Sequence, residues 1–249
     1  MKTNGNIVSF YGTDGSGKSS IAKEFARLDT SNEHIIIGGS TYKDWLTPDV
    51  IKNTLGAGYE FIEAFSNTSE MIRQYEDIAI ACYGLARHMA DNGVNVTIDS
   101  DPYLKRIIWE TLYLPDDEGR AYVERFDERM AHRLGASAAS DYIIGVNVQP
   151  SDISHQDLLG RLDSRSDNSD HDPTDIVQME QLNDQVIKIW NEITAVSKNE
   201  SSYPCLNTRL GGVALLSINN PNCPPVRIEQ QTHILAEYVD KKINNDTVY

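Results

Sequence analysis

Residues 12 to 19 read Gly-Thr-Asp-Gly-Ser-Gly-Lys-Ser, and no other stretch of this 249-residue chain restricts its fold as strongly. The run satisfies G-x-x-x-x-G-K-[ST] at every position. It follows "NIVSF" (6–10), whose β-branched and aromatic residues predict a buried strand, and leads into "SSIAKEFARL" (19–28), which predicts a helix. Between strand and helix, the glycines let consecutive amides turn inward around an anion, and the helix adds the positive end of its dipole. The expected ligand is a nucleoside triphosphate held by Gly12, Thr13, Asp14, Gly15, Ser16, Gly17, Lys18, Ser19 and Ser20. Lys18 is expected on the β- and γ-phosphates, and the Ser19 hydroxyl on Mg²⁺.

Strand and helix signals alternate along the rest of the chain. Further strands are expected at 34–39, 94–99, 141–148 and 213–219. Met71, Tyr75, Ile78, Cys82, Leu85 and Met89 recur in steps of four and three, marking one face of a long helix. Other helices are expected near 102–113, 117–134, 153–162 and 228–243, with a further one opening at Pro173 behind an Asp172 cap and running to Val196. Such alternation predicts an α/β fold with a parallel five-stranded sheet covered on both faces, and ligands at the carboxyl ends of the strands. Asp99 ends the third strand, where a carboxylate reaches magnesium directly or through water; Asp101 competes for that role.

Hydrolytic switches and motors fit poorly. A guanine-reading N-K-x-D is absent, since Asn147 is followed by Val148 and Gln149, and D-x-x-G is missing after the third strand. Instead the segment from Arg161 to His171 is charged and polar, with Arg161 and Arg165 four residues apart. Such a lid closes over a triphosphate, excludes water and places guanidinium groups on the transferring phosphoryl.

The net charge of −15 disfavours nucleic-acid polymers and anionic membranes, whose phosphates it repels. No apolar run has the length of a membrane span, and no signal-peptide core precedes the glycine-rich run. Cys82, Cys205 and Cys223 lack C-x-x-C spacing and are expected as free thiols in a reducing, cytoplasmic setting. The six histidines show no metal-binding spacing, and the acidic residues Glu124, Asp127 and Glu128 are expected to pair with Arg125 and Arg129 within one helix.

Three segments together resemble the thymidylate kinase family of nucleoside monophosphate kinases: "GTDGSGKSS" (12–20), "SDPY" (100–103) and "RLDSR" (161–165). The likeness spans nearly the whole length, with extra residues around 40–70 and 104–140. It implies one three-layer α/β/α P-loop kinase domain over 1–249, a lid at about 161–175 and a homodimer packed through helices. It implies transfer of the γ-phosphoryl of ATP, with Mg²⁺, to a nucleotide's 5′-phosphate. Asp14 would then face the acceptor sugar, and Arg161 and Arg165 the donor phosphates and transition state.

Two departures bear on the acceptor. The family usually reads Asp-Arg-Tyr where this chain has Asp101-Pro102-Tyr103, and proline supplies neither cation nor backbone donor. Lys105 or Arg106 is the expected substitute, with Tyr103 stacking on the acceptor ring. Arg87 lies nearer the third strand than the family's acceptor-gripping arginine would, with Arg73 further back. An acceptor without a phosphate needs no such clamp: a nucleoside or other alcohol would instead need a general base, Asp14 or Asp101. A nucleotide-binding regulatory protein without catalysis is the third reading.

Overall fold

The computed structural model describes residues 5–28, 33–38, 49, 68–112, 114–134, 140–148, 153–164, 173–196 and 212–216. The expected carboxyl-terminal helix, most of the 40–69 stretch, Arg165, His171, Cys205 and Cys223 lie outside these residues.

Five strands form one sheet: β1 (Ile7–Tyr11), β2 (His34–Ile37), β3 (Asn95–Ile98), β4 (Tyr142–Val146) and β5 (Gly212–Leu216). Their order is β2-β3-β1-β4-β5 and every pairing is parallel, with Ile7 opposite Val96 and Val8 opposite Tyr142. The helices are α1 (Lys18–Leu28), α2 (Thr68–Asp91), α3 (Pro102–Thr111), α4 (Asp116–Leu134), α5 (His155–Asp163) and α6 (Ile176–Val196). None is long and apolar enough to cross a membrane.

Alternation along β1 sends its side chains to two cores, as a strand buried on both faces requires. Val8 and Phe10 pack with Ile21 and Phe25 of α1, while Ile7 and Tyr11 join the larger core under α2, α3, α4 and α6. Helices on both faces of a parallel sheet make the expected three-layer fold. Trp190 of α6 stacks on Tyr11 with ring centroids 5.9 Å apart and lies flat over Gly145, where a Cβ would stand 2.5 Å from the indole. The sheet-side surface of α2 is not the bulky stripe expected. Ala79, Cys82, Tyr83, Ala86 and Ala90 are buried, whereas Ile78, Leu85 and Met89 flank the core half-buried. Alanines bring the helix close to the strands, which a periodicity read from large residues overlooks.

Two further expectations need correction. The helix expected to open at Pro173 starts at Ile176, because Asp175, not Asp172, caps it: the Gln178 amide donates to Asp175 Oδ1 at 2.9 Å. The Gln178 side chain in turn accepts from the amide of Thr174, the residue before the cap, at 3.0 Å. The pairing expected within α4 is largely replaced by contacts to other helices. Asp127 is buried on the Tyr103 hydroxyl, and Arg129 reaches Glu76 and Asp77 of α2.

Candidate active site

Because all strands are parallel, the chain leaves β1, β3 and β4 on one edge, at Gly12, Asp99 and Asn147. Gly12 has φ +154° and Gly15 +84°. A Cβ on Gly12 would stand 2.9 Å from Ser16 Oγ as well as striking the Val146 carbonyl, and one on Gly15 would stand 2.9 Å from the Leu158 carbonyl. These two positions are closed to other residues by backbone angle and by space alike. Asn147, itself in the left-handed region at φ 52°, is buried and its amide donates to the Ser16 carbonyl at 3.1 Å. The tip of β4 thus holds the turn in place.

Lys18 opens α1 and folds back over the turn, donating to the carbonyls of Gly12 (2.8 Å) and Thr13 (2.9 Å) and facing Asp14 Oδ1 at 3.4 Å. Burial pushes the Lys18 ammonium below its ordinary pKa; Asp14 opposes that shift and Lys105 adds to it. A cation so desolvated gains from an arriving phosphate more than a hydrated one does. Ser19 and Ser20 stand exposed in the first helical turn.

At the end of β3, Asp99 is 5% exposed, and its Oδ1 has no hydrogen-bond partner among the described residues. Ser16 Oγ is also buried without one. Orphaned buried oxygens are costly unless a ligand completes them, and a carboxylate and a hydroxyl beside a phosphate cradle suit Mg²⁺. Among the described residues, no three His, Cys, Asp or Glu side chains cluster to hold a metal on their own. The orphaned oxygens of Ser16 and Asp99 therefore suit an ion that takes its remaining ligands from phosphate and water.

Asp101 caps α3. Its Oδ1 accepts from the Leu104 amide at 2.9 Å, and Oδ2 from the Tyr83 hydroxyl, with Ser140 Oγ at 3.5 Å. Burial pushes its carboxyl upward, against the bonds from Leu104, Tyr83, Ser9 and Ser140. Protein donors thus engage both oxygens of Asp101, which also lines the cleft beside the glycine-rich turn. Tyr103 is 1% exposed and turns into the core, its hydroxyl on Asp127 and its ring tilted against Phe126 at 5.1 Å, so it does not line the cleft. Arg106 lies over the Tyr75 ring at 5.1 Å and pairs with Glu110. Arg87 pairs with Asp141 at 3.1 Å, and Asp141 accepts from the Ile7 amide at 2.8 Å. Those partners mark where β4 and β1 begin, so Arg87 stands at the opposite edge of the sheet from the turn.

A cleft of about 320 Å³ opens beside the glycine-rich turn. Asp14, Ser100 and Lys105 bring polar groups to it, and Tyr11, Leu182 and Val186 an apolar wall. Tyr11 is fixed there by donating its hydroxyl to the Val186 carbonyl at 2.7 Å. On the other side of the turn, Arg161 Nη1 donates to the Gly15 carbonyl at 3.3 Å from the exposed face of α5. Sequence reasoning missed Asn147 as a support of the turn, and missed Asn183 of α6, which accepts from the Thr13 hydroxyl at 2.5 Å. An asparagine at a strand end signals the first weakly; no local pattern signals the second.

No family model and no curated protein matches the sequence. Solved structures do match. A thymidylate kinase from Candida albicans superposes with a TM-score of 0.57 at 13% identity, covering 97% of this chain and 93% of that one. A deoxyadenosine kinase from M. mycoides, bound to dATP, gives 0.52 at 12% identity, covering 94% and 99%. With its parallel sheet, helix layers and phosphate-type turn at the end of β1, the chain has the fold of the P-loop nucleoside and nucleotide kinases.

Proposed function

We infer that this chain is an ATP-dependent phosphotransferase, a single kinase domain that moves the γ-phosphoryl of ATP onto a nucleoside monophosphate. The observation that carries the reading is the adjacency of two half-sites: the turn of residues 12–19 gripped by Lys18, and the cleft where Asp14 and Lys105 face the same space. The amides of residues 15–19 and Lys18 would hold the donor phosphates, and Arg161, on the α5 face against Gly15, would meet the transferring group. Mg²⁺, when bound through Ser19 and Asp99, supplies charge neutralisation between the donor phosphates. Asp14 would orient the acceptor sugar, and Lys105 would hold its phosphate. The apolar wall of Tyr11, Leu182 and Val186 keeps water from the acceptor side. The implied homodimer belongs to the same reading, with α2 as its candidate surface.

One observation favours a second reading. Arg87 and Arg106 are engaged elsewhere, which leaves Lys105 as the described cation on the acceptor side of the cleft. A hydroxyl acceptor needs fewer cations, and Asp14, 22% exposed at its side chain, and the buried Asp101 both line the cleft as candidate general bases. The shared fold is compatible with both, since one neighbour is named for a deoxynucleoside and the other for a nucleotide. A coupled assay of ADP release against nucleoside monophosphates, nucleosides and sugars separates them. Turnover confined to monophosphates is the expected result, turnover of nucleosides supports the second reading, and ATP binding without turnover on any acceptor favours a regulatory protein.

A further inference from the structure

We propose that Asn183 and His155 are positioning residues for the donor loop, tying Thr13 to the two helices beside it; the proposal rests on the assignment of residues 12–19 to ATP. Thr13 is 1% exposed and Asn183 2%, so water does not stand in for a lost partner of either. The Thr13 hydroxyl donates to Asn183 Oδ1 at 2.5 Å, across 170 positions of sequence. With its oxygen facing Thr13, Asn183 turns its amide nitrogen to His155 Nε2 at 3.2 Å. An amide nitrogen only donates, so Nε2 accepts and the imidazole proton sits on Nδ1. Nδ1 faces Glu180 Oε1 at 3.6 Å, on the same helix as Asn183. Each group in the row Thr13, Asn183, His155 thereby has one direction of hydrogen bonding set by its neighbours, with the Glu180 carboxylate nearby at the far end.

The row matters because of what Thr13 holds. Its main-chain carbonyl accepts from Lys18 Nζ at 2.9 Å and from the Ser16 amide at 3.0 Å. A displaced Thr13 therefore displaces both the lysine anchor and the inward-turned amides. His155 is the first residue of α5, and Arg161 on the same helix reaches the Gly15 carbonyl at 3.3 Å. One nine-residue helix thus touches the loop twice, at Thr13 through Asn183 and at Gly15 directly.

Calorimetric titration of the full chain with Mg-ATP tests the coupling. Asn183→Leu keeps the volume and removes both hydrogen bonds, and Thr13→Val removes the hydroxyl. Each is expected to weaken ATP binding about tenfold, and the double variant no more than either alone. His155→Leu is expected to weaken binding about threefold, while His155→Gln, whose amide oxygen still accepts from Asn183, stays within about twofold of the wild type. If Asn183→Leu does not fold, the His155 pair decides. Additive losses in the double variant, wild-type affinity in Asn183→Leu, or equal affinities for the two His155 variants overturn the coupling while leaving the donor-loop assignment standing. A wild-type chain that does not bind Mg-ATP overturns that assignment, and the coupling with it.

Discussion

Lys105 and Arg106 are adjacent on α3, and successive helical residues point about 100° apart, so a helix that turns one toward the cleft turns the other away. Lys105 lines the cleft with Asp14, whereas Arg106 is half-buried against Tyr75 and Glu110. On the proposed reading, the arginine that the Asp-Pro-Tyr sequence lacks would be replaced one turn further on, by Lys105. Lysine presents a compact, rotatable charge where arginine presents a planar fork, so the acceptor anion would be held as a point charge rather than in a bidentate pair. Lys105→Ala is expected to raise KM for a monophosphate acceptor about tenfold with kcat little changed, the size of one partly exposed charge-assisted hydrogen bond. Arg106→Ala should leave that KM alone and lower stability by about 1 kcal/mol, through the lost ion pair and ring contact. Steady-state kinetics and urea denaturation of both variants check this, and an acceptor KM that follows Arg106 instead would reverse the assignment.

Among the elements, α3 shows how one residue is used twice. Pro102 at its first turn removes an amide that would have had no helical partner, and Asp101 caps the free amide of Leu104. That cap is buried with Tyr83 and Ser140, so a sequence signal shared by a capping acid and a metal-binding acid resolved here as a cap. Burial raises the Asp101 carboxyl above its unfolded value of about 3.9. Between those two values the native state holds a proton that the unfolded chain has released. The associated stability is complete below the unfolded value and falls as pH rises through the native one. Asparagine keeps the acceptor for Leu104 and has no charge to desolvate. Urea denaturation from about pH 4 to neutrality should give a flatter stability curve for Asp101→Asn than for the wild type. Parallel curves would place the pH dependence elsewhere.

For the whole molecule, what could be read from the sequence follows the range of the interactions. The glycine-rich turn, the strand runs and the helix stops are set by neighbours a few residues apart, and all five strands lie where those local signals place them. The partners that decide the site are distant: Thr13 with Asn183, Ser16 with Asn147, Arg87 with Asp141. No periodicity records that Tyr103 turns inward or that Arg87 stands at the wrong edge of the sheet, because both depend on how α2, α3 and α4 pack. The turn itself unites these scales, since β4, α1, α5 and α6 all supply contacts to residues 12–18. A ligand that binds there should therefore stabilise the fold as a unit, not only the loop. At a free Mg-ATP concentration 100 times its Kd, linkage adds about 2.7 kcal/mol. For a chain of this size that corresponds to a rise in Tm of about 5–10 °C. Lys18→Ala removes a charged bond to phosphate worth about 1.5–3 kcal/mol, a tenfold to hundredfold loss in affinity. At the same nucleotide concentration its thermal shift should fall to about half that of the wild type or less. Scanning calorimetry with and without Mg-ATP makes the comparison, and an undiminished shift in Lys18→Ala would mean that the nucleotide is held somewhere other than residues 12–19.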